Sequence, residues 1–164
     1  MVRYRDSTVL PLLSRAILAT LSLPRNHSDD MTEYRRKVLF CQCRELEKFL
    51  KLRKSVAAQR EADKLKIGDL SKFKWADQQK KSGMGDRGRK TFHFEHTVPV
   101  AMLVEKLDAI KKPTLKAVES VIAIAEVSWI TKQEDKELAR LKLRHKRSNP
   151  VEAYALAKIV LCPE

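Results

Sequence analysis

Between Thr91 and Val100 the chain reads Thr-Phe-His-Phe-Glu-His-Thr-Val-Pro-Val, which sets a carboxylate, Glu95, directly beside an imidazole, His96. Phe92 and Phe94 alternate with His93 and Glu95, the period-two pattern of a half-buried strand, and Pro99 breaks the strand just past the pair. With a reference pKa of about 6.5, an imidazole is largely neutral near pH 7 and able to take a proton from water. Immediately upstream, residues 80–90 hold three of the four glycines and five basic residues. The composition predicts a flexible basic loop, and because no Gly-Lys-Ser/Thr closes it, it is not a P-loop. Arg87, Arg89 and Lys90 stand where they could reach a phosphate next to a reacting one.

The elements around this stretch are mostly helical. Val9 to Leu23 reads as a core helix with Val9, Leu13, Ile17 and Leu21 at spacing four, Pro11 in its first turn and Pro24 stopping it. Arg15 interrupts the run and it is too short to span a bilayer, which leaves a transit peptide as the lesser reading. Ser28, Asp29 and Asp30 offer caps for one long helix from Met31 to Lys66, whose buried stripe is Leu39, Cys43, Leu46 and Leu50 and whose other face is basic. Val100 to Lys111 and Pro113 to Ala125 read as two core helices. Glu126 to Ile130 has strand-forming residues, Thr131 and Glu134 have capping-box spacing at the head of a helix to about Leu143, and Asn149-Pro150 starts a last helix.

Net charge narrows the partners. Lys plus Arg number 34 against 21 acidic residues, a formal net charge of +13, and this favours a polyanion, with nucleic acid the leading candidate. The basic residues are spread over several segments, so a membrane surface is not expected. Cys41, Cys43 and Cys162 have neither an even count nor paired Cys-x-x-Cys spacing; they fit reduced thiols of a cytoplasmic protein, with no structural zinc. A homodimer is compatible with the sequence, which does not fix the oligomeric state.

Glu95-His96-Thr97-Val98-Pro99 resembles the Asp-His-x-x-Pro signature of the HNH, or ββα-metal, nucleases. The resemblance covers roughly Phe92 to Leu143. It implies that Glu95 is a metal ligand, that His96 is the general base, and that the helix after a second strand supplies a further ligand, at or near Asp135, with Glu134 as the competitor. Thr97 and His93 would support the site. The family's central asparagine has no equivalent, since Asn26 and Asn149 lie outside the segment. Oxygen ligands suit one Mg²⁺ or Mn²⁺ better than zinc. Arg144, His145 and Arg147, in the basic run after the last core helix, join Arg87, Arg89 and Lys90 as expected phosphate contacts.

These readings give an expected fold that is mainly α with a small β element (α+β): a ββα-metal-like core over 92–164, a basic connector over 69–91 and an N-terminal helical extension over 1–68. The expected function is a metal-dependent endonuclease hydrolysing DNA phosphodiesters, with a restriction or phage-defence role by analogy. The alternative is a non-catalytic basic helical protein that binds nucleic acid through the Met31 to Lys66 helix.

Overall fold

The computed structural model describes residues 4–6, 8–23, 29–144, 147 and 149–163, and shows a mainly helical α+β protein with one small mixed sheet. The chain divides into two compact units, Met1–Leu50 with Val98–Ala125 and Lys51–Thr97 with Glu126–Glu164. The division does not follow the 1–68, 69–91 and 92–164 segments, because the two helices after Pro99 belong with the N-terminal helices. Among the described residues, no helix is long and apolar enough to cross a membrane.

The helical unit is built from α1 (Val9–Leu21), α2 (Asp29–Glu45), α4 (Val100–Asp108) and α5 (Leu115–Ile122), with α1 packed on α5 and α2 on α4. Its apolar stripes are the ones that the spacing predicts: Ile17 and Leu21 on α1, then Leu39, Cys43, Leu46 and Leu50, are buried. Burial pushes the Cys43 thiol up to about 12, so it is an inert core group. Tyr4 bridges to Leu50 and donates its hydroxyl to the Ile122 carbonyl at 2.9 Å. Arg35, placed by the sequence reading on the basic face of α2, is instead buried and pairs with Asp108 at 2.7 Å.

The long helix expected from Met31 to Lys66 is three elements. α2 tightens into a 3₁₀ turn at Leu46–Lys48, then Leu52–Lys54 forms strand β1, and α3 runs from Val56–Lys64. The local cause is Ser55, whose extended backbone and side chain accepting the Ala58 N–H at 2.9 Å make it the N-cap of a new helix.

The sheet unit has the strand order β1-β3-β2. β2 (Phe92–His96) runs antiparallel to β3 (Val127–Thr131), with His93 opposite Ile130 and Glu95 opposite Ser128, and β1 lies parallel to β3 on its other side. One face of the sheet is filled by Phe92 and Trp129 with Ala58, Ala62, Leu70 and Met84. The other carries Ile130, packed with Leu138 of α6 (Lys132–Arg140), with Tyr154 of α7 (Pro150–Leu156) and with Ala157 and Ile159 just past it. α6 starts where β3 ends: Thr131 accepts the Glu134 N–H at 3.1 Å while Glu134 accepts the Thr131 N–H at 2.7 Å, the reciprocal capping box that the sequence predicts.

The basic segment before β2 is pinned, contrary to the flexible loop expected from its glycines. Gln78 and Asp86 are both buried. The Asp86 carboxylate accepts the backbone N–H groups of Lys90, Thr91 and Phe92 at 3.0, 3.1 and 3.0 Å and the Gln78 amide at 2.9 Å. Gln78 also donates to the Phe92 carbonyl at 2.8 Å. Glycine is required locally: a Cβ on Gly83 would lie 2.3 Å from the Asp77 carbonyl oxygen.

Candidate metal centre

Alternation along β2 puts His93 and Glu95 on the sheet face that α6 covers, and the first turn of α6 brings Asp135 to the same place. One ligand atom from each of His93, Glu95 and Asp135 lies within 4.8 Å of the other two. His93 Nε2 stands 3.1 Å from Glu95 Oε2 and 3.7 Å from Asp135 Oδ1. Metal–ligand bonds of about 2.1 Å at right angles place neighbouring ligand atoms about 3.0 Å apart, so the first pair already has the spacing of a divalent ion's coordination edge and the second needs only a small closure. Asp135 Oδ1 also fits: it is buried and accepts no hydrogen bond among the described residues.

The cluster also carries its own cations. Arg147, with a side chain only 1% exposed, bonds Glu95 Oε1 through Nη2 and donates from the same nitrogen to the His96 carbonyl at 3.0 Å. Arg144 faces both oxygens of Asp135, with Nε 3.0 Å from Oδ1 and Nη2 3.0 Å from Oδ2, and only the second contact is a hydrogen bond. Lys132 Nζ lies 3.2 Å from His93 Nδ1. An ammonium only donates, so Nδ1 accepts and Nε2 carries the proton directed at Glu95. A cation taken up at Nε2 would displace that proton and reverse the tautomer. Burial by itself would raise the Glu95 carboxyl, but the His93 hydrogen bond and the charge and hydrogen bond of Arg147 outweigh it and hold the group below its ordinary value.

Of the residues singled out from sequence, Glu95 and Asp135 come together, and the histidine that joins them is His93. His96 continues β2 opposite Val127, and its ring lies on the Phe94 side of the strand, 6.5 Å from the Phe94 ring and edge-on to it. Glu134 is committed to the α6 cap and to the Ser55 hydroxyl at 2.8 Å, which separates it from Asp135. Thr97 joins a buried hydroxyl chain with Ser128 at 3.0 Å and Tyr154 at 3.4 Å. In that chain burial, reinforced by the Glu95 charge, raises the Tyr154 phenol to about 12.

Among the expected phosphate contacts, Arg87 and Lys90 are exposed, while the Arg89 guanidinium lies over the Trp75 ring at 3.9 Å. Arg144 and Arg147 are turned onto the two carboxylates, and His145 lies outside the described residues. Sequence reasoning gave His93 only a supporting place and did not reach Lys132. The signal for His93 was present in the alternation that it shares with Glu95. Compared with family models, with curated proteins and with solved structures, the chain matches none.

Proposed function

We propose that the sheet unit is the core of a divalent-metal-dependent nuclease that hydrolyses DNA phosphodiester bonds, with His93, Glu95 and Asp135 as the metal ligands. The observation that carries this reading is their convergence from two elements onto the α6 face of β2. The order of an antiparallel strand pair followed at once by a helix that contributes a ligand supports the ββα-metal resemblance. Two carboxylates and one imidazole favour Mg²⁺ or Mn²⁺. Such an ion supplies charge stabilisation for the leaving oxygen and a more acidic bound water.

The chain's own residues set the rest. The His93 hydrogen bond and then Arg147 hold the Glu95 carboxyl below its ordinary value, and Asp135 is held at the start of α6, where the helix N-terminus favours a carboxylate. Lys132 stands on the far side of the His93 ring, and its hydrogen bond to Nδ1 belongs to the cation-free tautomer. Arg87 and Lys90, on a segment that the Asp86 network holds rigid, present cations to neighbouring phosphates without first having to be ordered. The base role implied for His96 rests on the motif and not on its ring position.

A second reading has one observation in its favour. Both carboxylates already have arginine partners, which is what a metal-free ion-pair network in a basic nucleic-acid-binding protein would look like. Plasmid digestion separates the two. The nuclease reading expects nicking or linearisation with Mn²⁺ or Mg²⁺, none with chelator, and none by Asp135→Ala; a protein that shifts the plasmid on a gel but cuts it with no divalent ion is the binder.

A further inference from the structure

The two arginines at the metal centre are not equivalent. Arg147 is almost wholly buried, and besides Glu95 it donates to the carbonyls of His96 and Arg144, so its place is fixed by backbone as well as by charge. The Arg144 side chain is 40% exposed, and the only partners its guanidinium has among the described residues are the two oxygens of Asp135. Asp135 Oδ1, the atom aimed at His93, is also the one that Arg144 Nε approaches to 3.0 Å without hydrogen-bonding it. A divalent ion bonded to that oxygen and a guanidinium nitrogen at that distance compete, because two positive charges would share one desolvated ligand atom.

We propose that Arg144 is an exchangeable counter-charge: it holds Asp135 in the cation-free protein, yields that carboxylate to the incoming divalent ion, and then binds a phosphate of the nucleic acid. The proposal rests on the metal centre proposed above and adds to it a coupling between its two ligands. The released fork matches a phosphate as well as it matches a carboxylate, since both accept two parallel N–H bonds from a guanidinium. The backbone need not move, because the Arg144 carbonyl is already held by Arg147. Exchange of one partner for another makes cation and phosphate binding reciprocal, each strengthening the other by the same factor.

Two titrations on the full chain test it. In the first, Mn²⁺ alone is added to the parent protein and to Arg144→Gln, with free Mn²⁺ followed by paramagnetic resonance. Removing the competitor should tighten Mn²⁺ binding about tenfold, within the range usual for coupled sites, and Arg144→Lys, which keeps the charge and loses the fork, should fall between. In the second, binding of a short DNA duplex is followed by fluorescence anisotropy at constant ionic strength with and without Ca²⁺. The parent should gain about tenfold in affinity with Ca²⁺, and Arg144→Gln should gain much less. Equal Mn²⁺ affinities for parent and Arg144→Gln would overturn the exchange and leave the metal centre standing. Tighter Mn²⁺ binding with an unchanged Ca²⁺ effect would overturn the phosphate half. No Mn²⁺ binding by either protein would remove the metal centre itself, and the exchange with it. Circular dichroism melts of both variants confirm that the folded protein is being compared.

Discussion

The helical unit and the sheet unit handle buried polarity in opposite ways. Among the described residues of the helical unit the buried polar ones are Ser14, Thr20 and Arg35, and both hydroxyls bond carbonyls of their own helix. The sheet unit buries Gln78 and Asp86 in one network and Glu95, Asp135 and Arg147 in another, with the Ser128 hydroxyl chain beside it. Ionised groups taken out of water cost several kcal/mol each before their partners offset it, about the scale of a small domain's whole stability. The difference teaches that the helical unit is organised to be stable and that the sheet unit gives up stability to hold charges in place. Within the sheet unit the two networks differ again: the Asp86 carboxylate is saturated with backbone donors, whereas Asp135 keeps an oxygen to spare.

Breaking one arginine in each unit gives the largest expected effect. Arg147→Met leaves Glu95 buried without its main counter-charge and should cost about 3–5 kcal/mol in urea denaturation, the usual penalty for half of a buried pair. Arg35→Met in the helical unit should cost about 1 kcal/mol or less, because Asp108 is 34% exposed and can turn to water. Adding Glu95→Gln to Arg147→Met should recover much of the loss, since the uncompensated charge goes with it. Equal costs at the two arginines would dissolve the contrast between the units.

The two faces of β2 provide a narrower test. If the α6 face is the metal centre, His93→Ala should raise the Mn²⁺ concentration for half-maximal cleavage by at least the roughly 10–100-fold that loss of an outer-shell partner costs. His96→Ala should leave that concentration unchanged. Should His96 also be the base, its variant would lose turnover at saturating Mn²⁺, by about 10²–10⁴-fold. A metal requirement that moves with His96 and not with His93 would place the site on the other face of the strand.

Much of this was legible in the sequence wherever a local signal had one meaning. The Thr131–Glu134 capping box fixed the start of α6, and with it the position of Asp135 one residue past the capping glutamate. The apolar spacing of α1, α4 and α5 located the helical core. The failures have a common physical cause: a helical stripe and a break in it use the same residues. Leu46 and Leu50 continue the spacing of Leu39 and Cys43, yet the chain leaves the helix between them, and the N-cap at Ser55 was the only mark of it. β1 could not be read from Leu52–Lys54 alone, because three residues take their strand character from the pairing with Val127–Trp129. The arginine partners were unreadable for a similar reason. Arg144 and Arg147 look like any solvated basic run until the fold places buried carboxylates within their reach.

Acid should find the sheet unit before the helical one. At the start of the segment after α3, Asp69 accepts from Lys54 Nζ at 2.5 Å and from Ser71, and the Lys54 hydrogen bond followed by that of Ser71 lowers the carboxyl to about 2. An unfolded aspartate titrates near about 3.9, so the folded value is the lower one. The sign follows: the pair contributes its full stability above the unfolded pKa and loses it as pH falls through the folded one, so the window runs from about pH 4 to about pH 2. Lys54 and Asp69 side chains are 21% and 39% exposed, and solvent screening keeps the contribution below about 1 kcal/mol. Glu95, also lowered, acts in the same direction. Trp75 and Trp129, the chain's two tryptophans, both lie in the sheet unit, so their fluorescence reports its melting. Melts at pH 5, 4, 3 and 2.5 should show the parent's midpoint falling faster than that of Asp69→Asn, with the two proteins converging by a few degrees at the acid end. Parallel midpoint curves would mean that the Lys54 hydrogen bond contributes nothing to the fold and that other carboxylates, Glu95 among them, set the acid limit of the sheet unit.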